Sequence, residues 1–285
     1  MGRKARWAGA EIRMSDPRNV RPDAFVGTAE AYARWRPPYP AALLDWLVHE
    51  APQTPTPRLL DLATGPGRMA LALAGRFAEV WALDLEPEMI AVARAAAAEG
   101  GIGNVRWSVG PAEAFEAPEG RFDLITVGEA FHRLDQPLIA AKARGWLRPG
   151  GVFATMGGGA ILSSWGDWQR AAVEVARRWT AKRFPNGWAQ SRPGVDPAHE
   201  AHIRVVEAAG FRLVADRRFA VRHAWTFEAV LGYLHSTSVA SRRILGDEAD
   251  GFAAALQAAL APFADADGLL QDEIAFGCTL FRNPD

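Results

Sequence analysis

Cysteine is almost absent from this chain of 285 residues: Cys278 is the only one, which excludes an internal disulfide and a thiol cluster for zinc. Near the end of the chain among apolar neighbours, Cys278 reads as a buried strand residue and not as a nucleophile. No apolar run reaches the roughly eighteen residues a membrane-spanning helix needs. Arg3, Lys4, Arg6 and Arg13 form a basic start without the apolar stretch of a signal peptide. Residues 1–23 are therefore expected to be a disordered arm, and the protein cytoplasmic. A charge excess is missing too: 32 Lys and Arg face 33 Asp and Glu, for a formal net charge of −1. No overall field draws such a chain to nucleic acid or an anionic membrane, so the expected partner is a small molecule, with a homodimer left open.

What is present is enough apolar material, 49% of residues, to bury one large core with an additional cap. The chain is organised around Arg58–Ala70, where an apolar run ends in a glycine turn and helical spacing begins. Leu59, Leu60 and Leu62 read as a buried strand, whereas Ala70, Leu73, Ala74 and Phe77 fall on one helix face. Gly65 and Gly67 lie between them. Glycines serve where backbone turns sharply or approaches a ligand, and the following helix offers free amide groups. The spacing Gly65-x-Gly67-x-x-Ala70 also fits a dinucleotide fingerprint, with Asp84 near the distance of its ribose acid. Asp61 weighs against that ligand: a carboxylate at the strand end opposes a pyrophosphate and suits a ligand carrying an ammonium and a sulfonium. S-adenosylmethionine is such a ligand.

Three further segments follow in order: Trp81 to Met89, Phe122 to His132, and Leu147 to Phe153 with its Arg-Pro-Gly-Gly turn. Together with the glycine turn they resemble the class I S-adenosylmethionine-dependent methyltransferases of the small-molecule kind. The resemblance covers about Ala24 to Phe281 and is loosest over residues 161–195. It implies an α/β fold with a Rossmann-like, seven-stranded sheet, mostly parallel with an antiparallel last strand, plus a helical cap. It also implies cofactor-binding roles for Asp61, Ala63, Gly65 and Gly67 in the turn, and for Asp84, Leu85 and Met89 at the second strand. Asp84 would accept both ribose hydroxyls, Ala112 and Glu113 would bracket the adenine, and Gly128 would end the fourth strand. The segment Tyr32-x-x-x-Arg36-Pro-x-Tyr39-Pro40 is similar to one that lies over the cofactor in relatives, placing Tyr32 and Arg36 near its methionine end. Relatives usually have glycine at the position of Ala63; alanine is expected to adopt the same backbone there.

Strand and helix signals alternate through Met156, as a parallel sheet covered on both faces requires. A single domain over residues 24–285 is expected, with lid helices within 24–50 and a cap insertion at about 161–195, hinged near Gly157-Gly-Gly159. That insertion carries Trp165, Trp168, Trp179 and Trp188, which suggest a hydrophobic acceptor. His199 and His202 lie one helical turn apart without a third ligand, so no metal is expected. Methyl transfer is an in-line displacement that asks the protein mainly for orientation and exclusion of water. If the acceptor must lose a proton, His132 and Glu129 are the candidate bases. The loop after the fourth strand has no Asn/Asp-Pro-Pro-aromatic grip for a flipped base. Two other readings stay open: an NAD-type oxidoreductase, and a cofactor-binding cyclase or regulator that transfers nothing.

Overall fold

A computed structural model describes residues 23–159, 161, 166–186 and 197–284. Seven strands form one sheet in the order β3-β2-β1-β4-β5-β7-β6. Strands β1 (Arg58–Leu62), β2 (Glu79–Asp84), β3 (Val105–Val109), β4 (Phe122–Gly128) and β5 (Leu147–Gly158) are parallel. Strand β7 (Leu270–Arg282) runs antiparallel between β5 and β6 (Arg212–Trp225). The expected fold class is therefore observed, including the antiparallel last strand.

Alternation along the strands divides the core. Leu59, Val80, Ala82, Leu124, Val152 and Ala154 point to one face of the sheet, where α2 (Ala41–Glu50), α3 (Arg68–Leu73), α6 (Asp167–Thr180), α8 (Phe227–His235) and α10 (Ala249–Leu260) contribute their buried residues. Leu60, Leu62, Ile125, Val127 and Phe153 point to the other, under α5 (Gln136–Trp146) and α7 (Pro197–Ala208). Helix α4 (Pro87–Glu99) connects β2 to β3, and α1 (Ala29–Trp35) packs on α8. Gly232 of α8 permits that approach, since a Cβ there would lie 2.3 Å from Cδ1 of Trp35. Sequence signals at the helix ends hold: Asp135 caps α5 by accepting from the Leu138 amide at 3.2 Å, and Thr226 caps α8.

Three expectations need correction. Gly157 and Gly158 do not break the fifth strand; they pair with Gly277 and Phe276 of β7, because β5 and β7 run on past the rest of the sheet. A hinge at these glycines would have to break that ladder. The described part of the insertion, α6, is not a separate lid, because its inward face packs with α10 in the main core. Trp168 is 6% exposed and donates its indole N–H to the Gln271 carbonyl, and Trp179 stacks edge-on against Phe252. Both are packing residues, while Trp165 and Trp188 lie outside the described residues, as does the basic arm through residue 22. Among the described residues no helix is long and apolar enough to cross a membrane.

Candidate active site

Strand order reverses between β1 and β4, and in open parallel sheets ligands bind beyond the carboxyl ends at that point. The turn after β1 is built there. Asp61 is paired in register with Thr126 of β4, so the two side chains meet on one face: the Thr126 hydroxyl donates to Asp61 Oδ1 at 2.7 Å. The Thr64 hydroxyl donates to the other oxygen. Asp61 is 1% exposed, and burial, outweighing these hydrogen bonds, pushes its pKa up to about 6. Among the described residues no cation pairs with it.

Gly65 and Gly67 both have positive φ, at +57° and +80°. Gly67 precedes α3 and has no room for a side chain, since a Cβ would lie 2.8 Å from the Trp107 ring. Gly65 meets nothing within 4 Å on that side. Its amide donates to Asp84 Oδ2 at 2.8 Å, while Asp84 Oδ1 accepts from the Glu86 amide at 2.9 Å. Burial raises the Asp84 pKa. Ala63 also takes left-handed backbone, at φ +52°, where a β-carbon costs roughly 1–2 kcal/mol.

A recess opens to solvent between Tyr32, Tyr39, Asp61, Ala63, Gly65 and Arg68, with Thr64, Met69 and Gly128 completing its wall. The chain has three tyrosines, and all of them, Tyr32, Tyr39 and Tyr233, gather around Arg36 and Arg68. Arg36 lies 4.4 Å from the centres of both the Tyr32 and Tyr233 rings. Its Nε donates to the Ser236 hydroxyl at 2.9 Å, and one terminal nitrogen donates to the Tyr233 oxygen at 3.1 Å and to Glu129 at 3.2 Å. Arg68 faces Glu129 from the other side at 3.9 Å, stacks on Tyr39 at 4.8 Å and donates to the Pro37 carbonyl. Burial foremost raises the pKa of all three phenols, which keeps them neutral near pH 7.

The candidate residues do not all keep the roles expected of them. Tyr32, Asp61, Ala63, Gly65 and Gly128 line the recess together; Gly128 is held open by Tyr39, whose hydroxyl would lie 2.5 Å from a Cβ. Leu85 is 36% exposed at the tip of β2, whereas Met89 and Ala112 are buried at 3% and 5%. Glu113 is no free partner for an adenine edge, because its carboxylate accepts the Asp135 amide at 2.9 Å and ties its turn to α5. Glu129, itself at φ +57°, is engaged by two arginines and not poised as a free base. His132 is crowded by neighbours yet open to water. Crowding, Arg133 and His202 together hold its pKa at about 4, below the ordinary histidine value. His199 pairs with Asp216 at 3.0 Å, and among the described residues no cluster could hold a metal. Cys278 is buried, which pushes its thiol up to about 12. Arg68, Tyr39, Thr64 and Thr126 were legible as positions but not as site residues. Tyr233 and Ser236 had no local signal, being about 200 residues from the arginine they hold.

Residues 59–151 match the profile of a methyltransferase domain. An uncharacterized methyltransferase of Mycobacterium tuberculosis, Rv3342, is 34% identical over 45% of this chain and 49% of its own length. The chain thus matches about half of that relative. A ubiquinone biosynthesis O-methyltransferase of Burkholderia thailandensis is 29% identical over 60% of this chain and 71% of its own. Among solved structures, an Anaeromyxobacter dehalogenans protein with the provisional name type II methyltransferase superposes with a TM-score of 0.56 at 25% identity, covering 87% of this chain and 97% of its own.

Proposed function

We propose, on the premise that this chain carries a class I methyltransferase domain, that it transfers a methyl group from S-adenosylmethionine to a small organic acceptor. The observation that carries this reading is the buried Asp61 carboxylate, which has hydroxyl partners and, among the described residues, no counter-cation, beside a left-handed Gly65 whose Cβ side is open. A buried carboxylate without a cation favours a positively charged ligand, and an open glycine face admits one close to the backbone. Asp84, steered by the Gly65 and Glu86 amides, keeps lone pairs for ribose hydroxyls. When bound, the cofactor supplies an activated methyl group. The chain's own part is to hold the acceptor in line with it and to keep water out, for which the tyrosines and Arg36 form a wall.

A neutral acceptor with a hydroxyl group suits this site best, since the tyrosine hydroxyls and Ser236 are polar without adding charge; an O-methyltransferase name among the relatives points the same way. Trp168 and Trp179 pack in the core and so lend no support to a strongly hydrophobic acceptor. His132, neutral above pH 5, is the candidate to take the hydroxyl proton. Partners beyond the acceptor, a homodimer included, and a cytoplasmic location remain part of the proposal. Thermal unfolding with S-adenosylhomocysteine tests the reading: a ligand at about 100 times its Kd adds roughly 2.7 kcal/mol. A shift with S-adenosylhomocysteine, none with NAD, and loss of the shift in Asp84→Ala are expected. A shift with NAD alone refutes it.

A further inference from the structure

The three buried charges at the mouth of β4 do not balance: two guanidinium groups, Arg36 and Arg68, share the single carboxylate of Glu129. Their side chains are 8%, 13% and 15% exposed, so water screens the imbalance little. The two arginines are held very differently. Arg36 is saturated, with Ser236, Tyr233 and Glu129 all within 3.2 Å and a ring on either side. Arg68 belongs to the recess wall; it donates to the Pro37 carbonyl and stacks on Tyr39, but its ion pair with Glu129 is long, at 3.9 Å. A second carboxylate in the same recess, Asp61, is in the opposite position, an anion without a cation among the described residues. The recess therefore offers, among the described residues, a weakly paired cation and an anion without a counter-cation on one surface. That is the complement of an amino-acid tail, whose ammonium and carboxylate are both charged.

The geometry points to an exchange of counterions: Glu129 stands at Arg68 in place of a ligand carboxylate, and the α-carboxylate of the cofactor's methionine portion takes Arg68 from it. This rests on the function proposed above. It assigns Arg68 as the anchor of the tail, Asp61 as the partner of its ammonium, and Arg36 as the fixed post that keeps Glu129 when Arg68 leaves. No bond is made or broken, and Glu129 stays paired throughout, so the exchange strands no buried charge. Glu129 becomes a competitor of the ligand. Removing its charge must then favour binding, which a ligand-contacting acid would never do.

Calorimetric titration with two probes separates the possibilities. S-adenosylhomocysteine carries the amino-acid tail, and 5′-methylthioadenosine has the same nucleoside without it. Arg68→Met is expected to weaken S-adenosylhomocysteine on the order of 10- to 100-fold and Arg68→Lys less, as loss of a charge-assisted hydrogen bond predicts, with methylthioadenosine unchanged in both. Glu129→Gln, which keeps the shape of the side chain, is expected to tighten S-adenosylhomocysteine several-fold and leave methylthioadenosine alone. Weakened or unchanged S-adenosylhomocysteine binding in Glu129→Gln overturns the exchange, as does an Arg68→Met variant that treats both probes alike. Methylthioadenosine binding also reports folding; should Arg68→Met fail to fold, Glu129→Gln decides alone. If the wild-type protein binds neither probe, the proposed function falls; if it binds both and the variants do not discriminate, only the exchange falls.

Discussion

Two glycines of one turn, Gly65 and Gly67, are expected to respond to the same substitution in different ways. Both have left-handed backbone, so alanine at either position costs roughly 1–2 kcal/mol of strain, partly offset by about 0.4–1 kcal/mol from a less flexible unfolded chain. Gly67 carries a second cost. Its Cβ would lie 2.8 Å from Cη2 of Trp107 and 3.1 Å from the Ala93 methyl, a crowding worth about 1–3 kcal/mol unless the indole yields. The net loss is about 2–4 kcal/mol for Gly67→Ala and about 1 kcal/mol or less for Gly65→Ala. With an unfolding entropy of roughly 2.1 cal/mol/K per residue, a chain of 285 residues loses about 0.6 kcal/mol for each degree. Tm should fall by roughly 3–7 °C in the first variant and by about 1–2 °C in the second. Ligand binding reverses the order: the Gly65 methyl enters the open side of the turn, where the nucleoside is proposed to lie, whereas the Gly67 methyl faces packed protein. Calorimetric melting and S-adenosylhomocysteine titration of both variants check this. Equal losses of Tm, or a Gly65→Ala variant that binds as tightly as wild type, would refute the reasoning.

The raised pKa of Asp61 has a defined sign. A carboxyl that titrates near 6 when folded and near 3.8 when unfolded binds its proton more tightly in the folded protein. The stability this adds is full below about pH 3.8 and is lost as pH rises through 6, a loss of about 3 kcal/mol at 1.36 kcal/mol per unit. Urea unfolding of wild type and Asp61→Asn at pH 4.5 and 7.5 should show a difference that changes between the two; a constant difference contradicts the assignment. Protonation below pH 6 should also weaken a cationic ligand, which titration at pH 5 and 7.5 reads. For His132, a pKa near 4 places any acid limb of the turnover profile there and not near 6.5. His132→Ala is expected to keep S-adenosylhomocysteine affinity and to lower kcat by about 10²–10⁴-fold if the ring takes the proton. Unchanged kcat removes it from the chemistry.

Much of this arrangement was legible because it is local. The apolar run Leu59-Leu60, the glycines of the turn and the amphipathic spacing from Ala70 carry their own instructions, and β1 and α3 form there, although α3 ends at Leu73 and gives way to a 3-10 turn over Ala74–Arg76 before Phe77. Asp84 was legible for the same reason, as the acid at the tip of an apolar run. The insertion was not: tryptophan has the same composition whether it lines a pocket or packs a core, and Trp168 packs because α6 meets α10 and the β7 backbone. Glu113 and Glu129 read as free acids in sequence, yet each has a partner supplied by another element.

From the chain alone follow the α/β alternation, the glycine turn, the acid at the tip of the second strand and the exclusion of an internal disulfide, since each depends on residues a few positions apart and on composition. Charge pairing was decided only by the fold. Arg36 finds Tyr233 and Ser236 about 200 positions away because α1 packs on α8, Asp61 meets Thr126 because β1 and β4 are neighbours in register, and Arg68 and Arg36 come to share Glu129 where those elements converge. The energy of a charge depends on its distance to others and on the water excluded around it, and neither quantity exists until the strands are ordered and the helices packed.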